Sequence, residues 1–70
     1  MIRKGTLVQW NWGSGKAEGK VVETYTNPVT KTIKGTEITR NGEHDNKALY
    51  IKQEDGDHVL KSESEVERLS

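Results

Sequence analysis

Apolar and polar residues alternate along most of this chain, and strict alternation predicts half-buried β-strands. From Thr6 to Trp12, Val8, Trp10 and Trp12 share one face, while Leu7, Gln9 and Asn11 share the other. Gly13 and Gly15 then turn the chain, and Gly19 signals a bulge or a close approach of backbones. From Lys20 to Thr26 the alternation resumes, with Val21, Glu23 and Tyr25 on one side and Val22 and Thr24 on the other. Asn27-Pro28 ends that strand, because proline has no N–H for a ladder.

Residues 29–42 read differently. Threonines 30, 32, 36 and 39 favour extended backbone, but only Val29, Ile33 and Ile38 could anchor it. Lys34-Gly35 is a hairpin tip and Asn41-Gly42 a second turn signal, so the segment predicts an arm laid over the rest. Asp55-Gly56 predicts a tight hairpin. A two-residue turn there sets Glu54 opposite Asp57 and Ile51 opposite Leu60. Leu49, Ile51 and Leu60 then form one apolar face, with Tyr50, Val59, Lys52 and Lys61 on the other. In the closing "SESEVERLS", Ser62 with Glu65 and Ser64 with Glu67 both fit a capping box. One helical turn and a short strand at Val66–Leu69 follow from that pattern.

Short strands, glycine turns and almost no helical periodicity predict a small all-β fold. A five-stranded, strongly bent barrel with an inserted β-hairpin arm suits the length, since closure removes exposed edges. Its core strands fall near 5–12, 19–26, 47–54, 57–61 and 65–69, the arm near 29–42, all within one domain, 1–70. Val8, Trp10, Val21, Ile51 and Leu60 are the expected core.

Composition sharpens this picture. Leu, Ile and Val total 14 in 70 residues, a thin supply that makes each tryptophan and tyrosine weigh heavily in the core. Without cysteine there is no disulfide and no thiolate metal site. The net charge of zero conceals two opposed halves: residues 1–34 carry six basic against two acidic residues, and 35–70 carry five against nine. Two solvated faces that attract each other is the plainer reading; a basic patch for an anion or nucleic acid is the functional one. The start, "MIRKGTLVQW", has no apolar run of the length a signal peptide or membrane span needs, which makes a cytoplasmic protein the expectation.

Three stretches taken together, "WNWGSGKAEGKV", "TIKGTEITRNG" and "DGDHVLKSESEV", resemble in order and spacing the bacterial and fungal hypervirulence-associated TUDOR domains. The resemblance runs from Lys4 to Leu69. It implies an SH3-like barrel related to Tudor domains, without implying one activity, since barrels of this type host many.

The aromatics are Trp10, Trp12, Tyr25 and Tyr50. Trp10 is expected in the core. Trp12, beside the glycine turn, is expected to be partly exposed and to offer a face to a ligand. A cage for methylated lysine or arginine needs several converging aromatics, and no dense cluster marks the loops. Catalysis has little support: His44-Asp45 and Asp57-His58 are isolated pairs in turn regions, Ser62 and Ser64 read as caps, and Glu54, Asp55 and Asp57 lack the calcium-loop pattern. No catalytic residue, metal or cofactor is assigned. The reading is a non-enzymatic interaction module, monomeric or weakly oligomeric and without a membrane partner. Its candidate contact residues are Trp12, Tyr50, Lys16, Lys20, Lys34, Arg40 and Asn41. A protein or peptide is the expected partner; a nucleic acid, bound by aromatic stacking and Lys/Arg phosphate contacts, is the alternative.

Overall fold

A computed structural model describes residues 2–69. Its strands are β1 (Leu7–Trp12), β2 (Gly15–Tyr25), β3 (Val29–Ile33), β4 (Thr36–Arg40), β5 (Ala48–Gln53), β6 (His58–Ser62) and β7 (Glu67–Arg68), with one 3-10 turn at Glu63–Glu65. Five form an antiparallel sheet in the order β6-β5-β2-β1-β7, and β3-β4 form a separate ladder. This is the five-stranded barrel with a hairpin arm that the alternation predicts.

β2 begins earlier than expected, at Gly15, because it serves two partners. Residues 15–20 pair with β1, from Leu7↔Lys20 to Trp12↔Gly15. Residues 19–25 pair with β5. Gly19 lies where the two pairings meet. A Cβ there would sit 2.6 Å from the Lys52 carbonyl oxygen and 2.7 Å from Ile51 Cγ2, so only glycine lets the backbones approach this closely.

The sheet encloses one core of Ile2, Val8, Trp10, Val21, Leu49 and Ile51, with Ala17, Val59 and Val66 packed against it. Two details of the barrel's register differ from the sequence reading. A bulge between Val21 and Glu23 breaks the alternation of β2. The extra residue flips every later side chain, so Thr24 pairs with core Leu49 while Glu23 and Tyr25 pair with Tyr50 and Ala48 on the outer face.

The second difference is the Asp55-Gly56 turn. The Gln53 N–H donates to the Asp57 carbonyl at 2.7 Å and the Gly56 N–H to the Gln53 carbonyl at 3.0 Å. Gly56 has φ +92°. This is a three-residue loop, Glu54–Gly56, with glycine in the left-handed position. Asp55 Oδ1 accepts the Asp57 N–H at 2.9 Å, which fixes aspartate inside the loop. The register moves by one: Ile51 faces Val59, and Tyr50 faces Leu60. Val59 therefore joins the core face, and Leu60 points to the outer face with Tyr50. Leu60 is still only 2% exposed, because the arm covers it.

The arm turns where expected. Lys34 and Gly35 have φ of 51° and 78°, the two positive values of a tight two-residue hairpin. Val29, Lys31, Ile33, Ile38 and Arg40 are half-buried, while Thr30, Thr32, Glu37 and Thr39 are exposed. The half-buried side lies against β6, and on the other the hydroxyls of Thr30 and Thr39 meet at 2.7 Å across the ladder. Asn41-Gly42 is not the second turn. Gly42 is buried, and a Cβ on it would lie 2.5 Å from the Tyr25 carbonyl oxygen. The chain reverses at His44-Asp45, between the mutually bonded Glu43 and Asn46.

At the end of β6, Glu65 Oε1 accepts the Ser62 N–H at 2.8 Å, as the first capping box requires. The second box, Ser64 with Glu67, does not form. Ser64 lies within the turn and donates its N–H to Asn46 Oδ1 at 3.1 Å, and Glu67 is already in β7. β7 closes the sheet through Val8↔Arg68 and Gln9↔Glu67.

Candidate functional site

Trp10 and Trp12 point to the same side of β1, yet their surroundings are opposite. Trp10 is 5% exposed and Trp12 is 72% exposed. Trp10 stands opposite Ala17 in mid-ladder; Trp12 stands opposite Gly15, where the hairpin ends and most of the ring is left in solvent. Beside the indole runs a groove between the β1–β2 hairpin, the strand β6 and the tip of the arm. Ala17 and Val59 line it as apolar floor, Lys34, Asp57, His58 and Lys61 as polar wall.

The arm tip is anchored at this groove. Lys34 Nζ lies 2.8 Å from Asp57 Oδ2. The Asp57 carboxylate, by hydrogen bond first and charge second, holds the Lys34 ammonium above its ordinary value. At the arm's other end, Arg40 Nε donates to Glu65 Oε1 at 2.9 Å. Partial burial pushes the Glu65 carboxyl up, but the Ser62 N–H and the Arg40 guanidinium outweigh it, with Lys61 adding its charge, and hold it below the usual range. Between these two ties, Lys31 Nζ sits 5.2 Å from the Tyr25 ring centre and 5.0 Å from that of Tyr50. Tyr50 in turn stacks on His58, with ring centres 4.8 Å apart.

The candidate contact residues therefore scatter. Trp12 and Lys34 share the groove, and Tyr50 borders a neighbouring depression with Lys34 and His58. Lys16 pairs with Glu67 at 3.3 Å. Lys20 faces the opposite side of the sheet, beside Leu7 and Lys52. Arg40 and Asn41 line a separate polar hollow with Asn46 and Ser62. The aromatics do not converge either: Trp10 is core, Trp12 stands alone, and the two tyrosines surround the chain's own Lys31. Sequence reasoning missed Asp57, His58 and Lys61 as groove residues. It gave the Asp57-His58 pair no site role; His58 opens β6, within the strand expected near 57–61, and lies flat on Tyr50. Among the described residues, no three His, Asp or Glu side chains gather as a metal site.

The sequence profile of the hypervirulence associated proteins TUDOR domain matches residues 5–66. The chain belongs to this family. The hypervirulence-associated TUDOR domain found here is thus an SH3-like barrel, a Tudor-like fold of the kind that typically serves as a binding module. Among curated proteins and among solved structures, nothing matches the chain. Among the described residues, no helix is long and apolar enough to cross a membrane.

Proposed function

We propose that this Tudor-like domain binds a peptide segment of a protein partner in the groove beside Trp12. The carrying observation is the indole itself: one of only two tryptophans in the chain, held 72% exposed next to an apolar floor. An exposed indole gives large contact area at small entropic cost, because only two side-chain torsions are ordered on binding. The groove suits a peptide in its chemistry, since a side chain can lie on Trp12 and Val59 while Lys61 and Asp55 offer both a donor and an acceptor.

The same geometry disfavours nucleic acid. Three cations expected to meet phosphate are engaged by carboxylates: Lys16 by Glu67, Lys34 by Asp57 and Arg40 by Glu65. Lys20 lies away from the groove, and the groove itself carries Asp55 and Asp57.

Selection of peptides from a random display library, followed by amide chemical-shift titration, tests the proposal. Selected peptides should shift the signals of residues 10–17 and 57–61, and Trp12→Ala should weaken them at least tenfold without unfolding the domain. Equal retention by Trp12→Ala overturns it. Binding of mixed oligonucleotides whose affinity falls steeply with salt would install the nucleic-acid reading instead.

A further inference from the structure

The outer face of the sheet has two halves. The arm covers Tyr50 and Leu60; beyond the bulge at Val22 the face is open. There Leu7, Val22 and Leu69 line a groove together with Glu18, Lys20, Lys52 and Glu54. Leu7 is 43% exposed and Leu69 46%. The charges form rows across the strands. Lys20 stands directly opposite Lys52 in the β2–β5 ladder. One pleat along, Glu18 on β2 lies beside Glu54, which follows β5. Like charges placed directly opposite repel. Among the described residues none of these four side chains makes an ion pair, although Lys16, Lys34 and Arg40 all do.

We propose that this open face is the contact between two copies of the chain. Two like-charged rows of opposite sign, about 7 Å apart along the strands, are self-complementary under a two-fold axis that runs between them. Turning a second copy about that axis brings its Glu18 over Lys20 and its Glu54 over Lys52, and the reciprocal contacts form by symmetry. Each lysine keeps its like-charged ladder partner but gains an opposite charge directly above it, and Leu7, Val22 and Leu69 leave water beside them. The face is small, so the dimer belongs to the weak, concentration-dependent class. It lies on the opposite side of the sheet wall from the Trp12 groove, so it stands or falls independently of peptide binding.

Sedimentation across a concentration series at low salt tests this, with circular dichroism as the check on folding. The wild type should pass from monomer to dimer as concentration rises, and high salt should shift the transition to higher concentration. The double variants K20E/K52E and E18K/E54K should each stay monomeric while folded. Mixed together, they should form a heterodimer, because each then presents a single charge sign to the other. Trp12→Ala should dimerise like the wild type. A wild type that stays monomeric at millimolar concentration overturns the proposal. So does a dimer that both charge-reversed variants form unchanged, or a mixture of the two variants that fails to associate.

Discussion

Around Leu49–Ile51 and Val59–Leu60 the strand pair β5–β6 is covered on both faces, by two different means. On its inner face Leu49, Ile51 and Val59 pack into the aliphatic core of the barrel. On its outer face Leu60 is equally shut off from water, but by an arm whose inward side is mostly half-buried and whose ties are polar. Those ties are Lys34–Asp57, Arg40–Glu65 and the stacking of Lys31, Tyr50 and Tyr25. Equal burial does not mean equal stability. Dry packing contributes through every contacting atom, whereas exposed ion pairs contribute about 0–1 kcal/mol each. The arm is therefore the part of the molecule that opens first.

The largest test of that contrast is a pair of truncations. Ile51→Ala, at 0% exposure, should cost about 2–5 kcal/mol and threaten a domain with so small a core. Leu60→Ala should cost about 2 kcal/mol, at the lower end of that range, and should release the arm before the barrel. Hydrogen exchange separates the two: the amides of β3 and β4 should lose protection first in Leu60→Ala, and all strands together in Ile51→Ala. Identical patterns would erase the distinction between the two faces.

Glycine substitutions come next. Gly19→Val forces a side chain against the Lys52 carbonyl and Ile51 Cγ2, and should cost about 1–3 kcal/mol as overpacking. Gly56→Val meets no atoms but adopts a left-handed conformation, so it should cost about 1–2 kcal/mol. Asp55→Asn keeps the side-chain carbonyl that accepts the Asp57 N–H and should change the urea midpoint little.

A smaller effect should come from the tie at the arm's base. Arg40→Gln should cost about 0.2–1 kcal/mol at neutral pH. Its pH dependence has a definite sign. The Glu65 carboxyl is lowered in the folded state, so its contribution is complete above the unfolded glutamate value, about 4.3, and is lost as pH falls through the folded value. Arm protection in the wild type should therefore weaken as acid is added below about pH 5, and Arg40→Gln should flatten that response. A variant that responds to acid as steeply as the wild type would remove Arg40 from the tie.

The smallest effect on folding should come from Trp12→Ala, within about 0.5 kcal/mol for an exposed side chain. Trp10→Ala should cost about 3–5 kcal/mol. Fluorescence resolves the pair directly: a collisional quencher should reach Trp12 and spare Trp10. Equal shielding of both rings would close the groove as a binding surface.

Much of the fold was legible without coordinates. Alternation placed the strands of the barrel, Lys34-Gly35 placed the tip of the arm, and the split between the tryptophans followed from the glycines beside Trp12. Leu60 is the instructive case: it is buried as expected, but for another reason. A two-residue turn would have aimed it at the core; the three-residue loop aims it outward, and the arm covers it. The candidate site was less legible. Trp12 and Lys34 meet, whereas Lys20 and Arg40 lie elsewhere, and Asp57 enters as the partner of Lys34 across 23 positions of chain.

By itself the sequence determined what local chemistry can determine. Side-chain period decides strand, positive φ decides where glycine must stand, and proline decides where a ladder stops, because each depends on a few neighbouring residues. Only the tertiary structure decided which face each strand presents and which charges meet. One extra residue at Val22 reverses the parity of everything after it, and one extra residue in the Asp55-Gly56 loop exchanges Val59 for Leu60. The bulge and the loop change local spacing by a single position, yet a period of two converts that change into an exchange of inside for outside.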